Sequence, residues 1–146
     1  MGKRLLIVSN LDSSEPFGAF TRPFYLGQYL VEHFDVCQLG LDCSSVNYAP
    51  SISVGSRSLQ SYIKLVKNSI DEFRPDIVYA QETRPSLAAL IALKLKKSHN
   101  CPLILDFHTF SPYEHWSRLS SGKNRLQEFT KCIKTYIAQG TLILSG

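Results

Sequence analysis

The sequence contains no two cysteines spaced by two residues. Its four cysteines stand at Cys37, Cys43, Cys101 and Cys132, a spacing that fits neither a zinc ribbon nor a Cys-x-x-Cys redox centre. Buried, reduced thiols remain, which predicts a reducing compartment. No stretch reaches the roughly 18 consecutive apolar residues of a membrane-spanning helix. The first apolar run, Leu5–Val8, is too short for a signal-peptide core, and Gly2 has no Ser or Thr at the myristoylation spacing. These absences predict a cytoplasmic protein. The glycine motifs are missing too. Without G-x-G-x-x-G or G-x-x-x-x-G-K-[ST], a dinucleotide oxidoreductase and a P-loop NTPase are disfavoured. Without G-x-S-x-G there is no hydrolase nucleophile elbow. No Asp-x-Asp occurs, which argues against a diphosphate gripped through a metal ion. His33, His99, His108 and His115 form no metal spacing, so no metal is expected. Charge is also scarce, with 19% charged residues and a net charge of +4, too little to indicate nucleic acid.

What is present reads as one globular domain spanning residues 1–146. Hydrophobic residues make up 44% of the chain, and a chain this long buries roughly 68–70% of its extended surface. Leu5–Val8 is a first strand, apolar on both faces as a central parallel strand should be. A polar loop follows, then a helix from about Thr21 to His33 with Leu26 and Leu30 on one row and Tyr25 and Tyr29 on the next. Phe34–Leu41 is a second strand, with Val36 and Gln38 facing one way and Cys37 and Leu39 the other. After a loop over Asp42–Pro50, Ser51–Val54 is a short third strand.

Ser58–Arg74 is the clearest amphipathic helix. Leu59, Tyr62, Ile63, Val66, Ile70 and Phe73 form its stripe, Lys64, Lys67 and Asp71 lie opposite, and Pro75 stops it. Asp76–Ala80 is a fourth strand ending in Gln81 and Glu82. Thr83–Ser86 carries helix-start signals ahead of a helix over Leu87–Lys97. Leu103–Leu105 is a fifth strand. Ser117–Lys123 is a loop or turn, and Asn124–Ala138 a helix with Leu126, Phe129, Ile133, Tyr136 and Ile137 inward. Thr141–Leu144 reads as a sixth strand. Alternating strands and helices predict an α/β fold, a Rossmann-like doubly wound parallel sheet with helices on both faces.

In such sheets ligands bind beyond the carboxyl ends of the strands. Asp106 and His108 close the fifth strand on a common face, and Glu82 closes the fourth beside them. A carboxylate and an imidazole together can accept hydroxyls or move a proton. The same residue types also serve as helix caps and loop tethers. The loop after the first strand, with Gly18 ahead of a helix N-terminus, is a candidate anion site, and a plain turn reads equally well.

The strand–loop–helix around Gly18, then Arg74-Pro75-Asp76-Ile77-Val78-Tyr79-Ala80-Gln81, Leu87-Ala88-Ala89-Leu90 and Pro102-Leu103-Ile104-Leu105-Asp106-Phe107-His108 resemble the N-terminal half of family-4-type glycosyltransferases of the GT-B fold. The resemblance covers nearly the whole chain. It implies an acceptor-side domain of an enzyme that transfers a sugar from a nucleotide-sugar donor to a saccharide or lipid-linked acceptor, in polysaccharide or glycolipid synthesis. It implies that His108 lies at the reacting centre, that Asp106 orients its loop, and that Gly18 lets backbone approach the donor diphosphate. It implies no metal and no cofactor beyond the nucleotide-sugar substrate. Asp106, Glu82 and Gln81 then line the acceptor cleft. Gln81 stands where the family often has histidine. The donor-binding C-terminal half is absent from this sequence, so the isolated domain is expected to need it, in the same polypeptide or as a partner chain. Lys64, Lys67, Lys123 and Arg125 would permit peripheral membrane docking, and a solvated helix face explains them as well. No nucleic-acid partner is expected. A sugar-nucleotide epimerase half and a non-enzymatic α/β binding module are the alternatives.

Overall fold

The computed structural model describes residues 2–15, 21–96, 101–107 and 125–145. In chain order these form β1 (Arg4–Val8), α1 (Thr21–Leu30), β2 (Asp35–Gly40), β3 (Ser51–Ser53), α2 (Leu59–Phe73), β4 (Ile77–Gln81), α3 (Thr83–Leu95), β5 (Leu103–Asp106) and α4 (Arg125–Ser145). The chain divides into two compact units, residues 1–106 and 107–146. The sheet and α1–α3 belong to the first, α4 to the second.

The five strands run in the order β3-β2-β1-β4-β5, and every neighbouring pair is parallel. β1 suits the centre because it is apolar on both faces. Leu5, Leu6, Ile7 and Val8 are all buried, and alternation divides them between two cores. Leu6 and Val8 join Cys37, Leu39, Val78 and Ala80 under Tyr62, Val66 and Ile70 of α2 and Ala88, Ala89 and Ala92 of α3. The three alanines let α3 approach the sheet closely, since helix packing distance follows contact side-chain size. On the other face Leu5, Ile7 and Val36 pack with Leu30 of α1 and with Val31, Phe34, Ile77 and Tyr79. Helices therefore cover both faces, and the arrangement is the doubly wound, Rossmann-like α/β fold expected from the sequence.

The helix limits follow from local chemistry. α2 begins after Ser58 and ends at Arg74, which adopts the left-handed conformation (φ 49°) and donates its N–H to the Ile70 carbonyl. Pro75 blocks continuation. α1 stops at Leu30, three residues short of the expected end. α3 starts at Thr83 rather than Leu87. Pro85 falls in its first turn, where a missing N–H leaves no helical bond unmade.

The strand expected at Thr141–Leu144 does not form. These residues continue α4, which runs through Gly140 to Ser145. A four-residue apolar run has no period that separates strand from helix, and one helical glycine costs only about 1 kcal/mol. Of the stripe expected to point inward from α4, Phe129, Ile133, Tyr136 and Ile137 are instead 44–65% exposed, and the Leu126 side chain lies outside what the structure describes. Amphipathic spacing specifies the helix but not what covers its apolar side. Among the described residues no helix is long and apolar enough to cross a membrane. The expected turn at 117–123, His99 and His115 lie outside the described residues.

Candidate functional site

From β1 the chain leads into α1 on one face of the sheet, and from the adjacent β4 into α3 on the other. In open α/β sheets the carboxyl ends of the strands beside such a reversal are the usual ligand position. Three of the residues singled out in the sequence meet at this edge. Gln81 and Asp106 are ladder partners across β4 and β5, and Glu82 donates its backbone N–H to the Asp106 carbonyl at 3.0 Å. Gly18 and His108 lie outside the described residues.

Asp106 is an internal anchor. Arg22, in the first turn of α1, bridges both carboxylate oxygens from Nη2 at 3.0 and 2.7 Å. The Tyr79 hydroxyl donates to Oδ2, and Gln81 Nε2 does so at 3.3 Å. Burial, and then the bond to Asp106, push the Tyr79 hydroxyl up to about 12, so it remains a donor at neutral pH. The Asp106 side chain is 16% exposed and engaged by three partners. Its chemistry here is to orient Arg22, Tyr79 and Gln81.

The next two features are both unfavourable within the chain itself. Gln81 is 3% exposed, yet its Oε1 has no hydrogen-bond partner. Glu82 has φ 69° and ψ 164°, a region occupied almost entirely by glycine that costs roughly 1–3 kcal/mol for other residues. The surroundings hold Glu82 there: besides its bond to Asp106, its carbonyl accepts from the Ser86 N–H at 3.1 Å, and the Ser86 hydroxyl fixes the Ala80 carbonyl at 3.3 Å. Glu82 caps α3 with no side-chain capping bond.

The loop after β1 is braced as far as Glu15. Ser9 Oγ accepts from Gln38 Nε2 at 3.0 Å and from the Leu11 N–H at 3.2 Å. Asp12 is 6% exposed and accepts from the Ser14 N–H and hydroxyl at 3.1 and 2.6 Å. Those bonds, chiefly that from the Ser14 hydroxyl, hold its carboxyl below the ordinary range against the opposing effect of burial. Arg57 reaches over to Glu15 at 2.9 Å and to Asp12 at 3.6 Å. From α2, the Tyr62 hydroxyl donates to the Ser9 carbonyl at 3.0 Å.

Two contributors to this edge were not legible as such in the sequence. Tyr79 carried a usable signal, standing two residues before Gln81 and hence on the same face of one strand. Arg22 carried none, because its partner lies 84 residues away and only the topology joins them. Among the described residues no group of three His, Cys, Asp or Glu side chains is placed to hold a metal ion. Fold and edge together define a parallel, Rossmann-like α/β protein whose polar side chains gather at the carboxyl ends of β4 and β5. No protein-family model matches the chain, and no curated protein matches it.

Proposed function

We propose that this chain is the acceptor-side half of a GT-B, family-4-like glycosyltransferase, which passes a sugar from a nucleotide-sugar donor to a saccharide or lipid-linked acceptor. The observation that carries the reading is the convergence of Gln81, Glu82 and Asp106 at the carboxyl edge of the sheet, where the sequence resemblance puts the acceptor cleft. In this reading Asp106, locked by Arg22 and Tyr79, anchors the start of the segment that carries His108 to the reacting centre. Gly18 adjoins the donor diphosphate. Catalysis is positioning and charge stabilisation of a departing diphosphate, with no metal. A donor-binding domain, in the same polypeptide or a partner chain, completes the enzyme.

The reading places the protein in the cytoplasm, in polysaccharide or glycolipid synthesis, with peripheral docking to an anionic membrane. What supports the docking is a shallow groove of about 290 Å³ on the outer side of α2 and α3, where Lys64 and Lys67 flank Ile63 and Leu95. Leu95 is 60% exposed. Basic and apolar side chains together suit a lipid surface.

The test is incorporation of labelled sugar from UDP-, GDP- and dTDP-sugars into polymer and lipid fractions by the protein purified from its own cells. Wild-type protein should incorporate label. His108→Ala should lower incorporation roughly a hundredfold, the scale of losing one positioning group, with the circular dichroism spectrum unchanged. Absence of incorporation from every donor, or near-normal incorporation by His108→Ala, overturns the assignment.

A further inference from the structure

We infer that Gln81 forms a subsite for a neutral, hydrogen-donating group of the ligand, a sugar hydroxyl, and that Arg22, Tyr79 and Asp106 set the polarity of that subsite. The inference rests on the proposed function and names the chemistry of one position within it.

The orientation of the Gln81 amide follows from its neighbour. A carboxylate paired with a guanidinium can only accept hydrogen bonds. The Gln81 NH₂ must therefore face Asp106, as it does at 3.3 Å, and Oε1 must turn away. With Arg22 across both Asp106 oxygens and Tyr79 donating to Oδ2, the carboxylate cannot swing to release the amide. The result is a fixed acceptor at the carboxyl end of β4.

That acceptor is unmatched. Gln81 is 3% exposed and its Oε1 has no partner. Leaving a buried polar atom unsatisfied forfeits the hydrogen bond it would make to water. Among the described residues, the other buried atoms in this condition are Gln38 Oε1 and the Tyr48 hydroxyl. Those two sit together over Gly27, whose missing Cβ would meet both. They are complementary, an acceptor beside a donor. The donors nearest Gln81, the Tyr79 hydroxyl and the Arg22 guanidinium, are already committed to Asp106, and Oε1 is left without a bond.

The adjoining residue adds a second, independent sign. Glu82 holds a backbone conformation that other residues avoid, and such strain concentrates at ligand sites. Two consecutive residues, one with an unsatisfied buried acceptor and one in a strained backbone conformation, stand where parallel sheets receive their ligands. A ligand donor reaching Oε1 would satisfy that acceptor. The polarity also discriminates. An acceptor repels phosphate oxygens and takes O–H or N–H groups, so this position suits the saccharide and not the diphosphate.

The experiment uses the full chain labelled with ¹⁵N and follows the Gln81 side-chain amide and the Glu82 backbone N–H. The probes are the methyl glycosides of glucose, galactose, mannose and N-acetylglucosamine, with inorganic pyrophosphate as the anionic comparison. At least one glycoside should shift both signals saturably, and pyrophosphate should leave them in place. Gln81→Met, which keeps the side-chain length and removes the acceptor, should weaken that glycoside about tenfold, the equivalent of one hydrogen bond, while leaving the fold intact. Asp106→Asn frees the amide to rotate and should let pyrophosphate perturb the Gln81 signal. Glycoside shifts elsewhere along the carboxyl edge with Gln81 silent, or unchanged affinity in Gln81→Met, overturn the Gln81 assignment and leave the glycosyltransferase reading standing. Wild-type response to pyrophosphate alone overturns the polarity. No response to any glycoside anywhere, with no sugar incorporation by the purified protein, overturns both.

Discussion

Asp106 shows how one side chain organises an edge of the sheet from within. Its side-chain partners come from two elements, α1 and β4, and its side chain is largely covered. The energetic weight lies with the buried partners, not with the ion pair. Arg22 is 46% exposed, and water screens a pair of that kind to about 0–1 kcal/mol. Asp106→Ala instead strips an acceptor from the Tyr79 hydroxyl and from Gln81, which is expected to lower the unfolding free energy by about 1–3 kcal/mol. Arg22→Ala should lower it by less than about 1 kcal/mol. Urea unfolding of the two variants separates these values. Equal losses would show that the ion pair, not the buried donors, carries the anchor.

At the scale of elements, the junction of β4 and α3 is the informative one. Glu82 turns the chain from strand to helix in a conformation suited to glycine. Glu82→Gly should release roughly 1–3 kcal/mol of strain against the roughly 0.5–1 kcal/mol that glycine loses in conformational entropy. The expected net change is a small stabilisation, read as a higher urea midpoint. If Glu82→Gly is destabilised, the side chain contributes more to the fold than its backbone geometry reveals.

This junction also marks the limit of what the sequence discloses. Period, proline and alternation located β1, β2, α2, β4 and β5 within a residue or two, because those signals are local. The pairing of β4 with β5 followed from their order, and it brought Gln81, Glu82 and Asp106 together as expected. Arg22 was not legible, since only the folded sheet brings α1 against β5. Nor was the fate of Thr141–Leu144, because an apolar tetrapeptide is equally at home in strand and helix. The backbone strain at Glu82 leaves no trace in residue types.

At the scale of the molecule, the buried thiols and phenols make a statement about pH. Burial, more than any neighbouring charge, pushes Cys37 up to about 11, Cys43 to about 12, and the Tyr48 and Tyr79 hydroxyls to about 12. In the unfolded chain these groups ionise near 8.5 and 10. Between those values and the folded ones, the unfolded state has lost protons that the folded state keeps, so stability falls as pH rises. The unfolding free energy of the sheet unit should be insensitive to these groups below about pH 8.5 and decline steadily from there toward pH 12. Denaturant titrations at intervals across that range test this. A flat profile to pH 11 would mean that the four groups are far less enclosed than their positions indicate.

The central place of β1 has a consequence for how the protein is made. Among the five strands of this sheet β1 is the first to leave the ribosome and the most thoroughly apolar. One of its edges is met by β2 soon afterwards, but the other waits for Ile77–Gln81. At about 5–20 residues added per second, the nascent chain spends several seconds with that edge open. An unpaired apolar edge is a template for wrong partners, so this is the interval in which a chaperone, or a pause in translation, has most influence on the yield of folded protein.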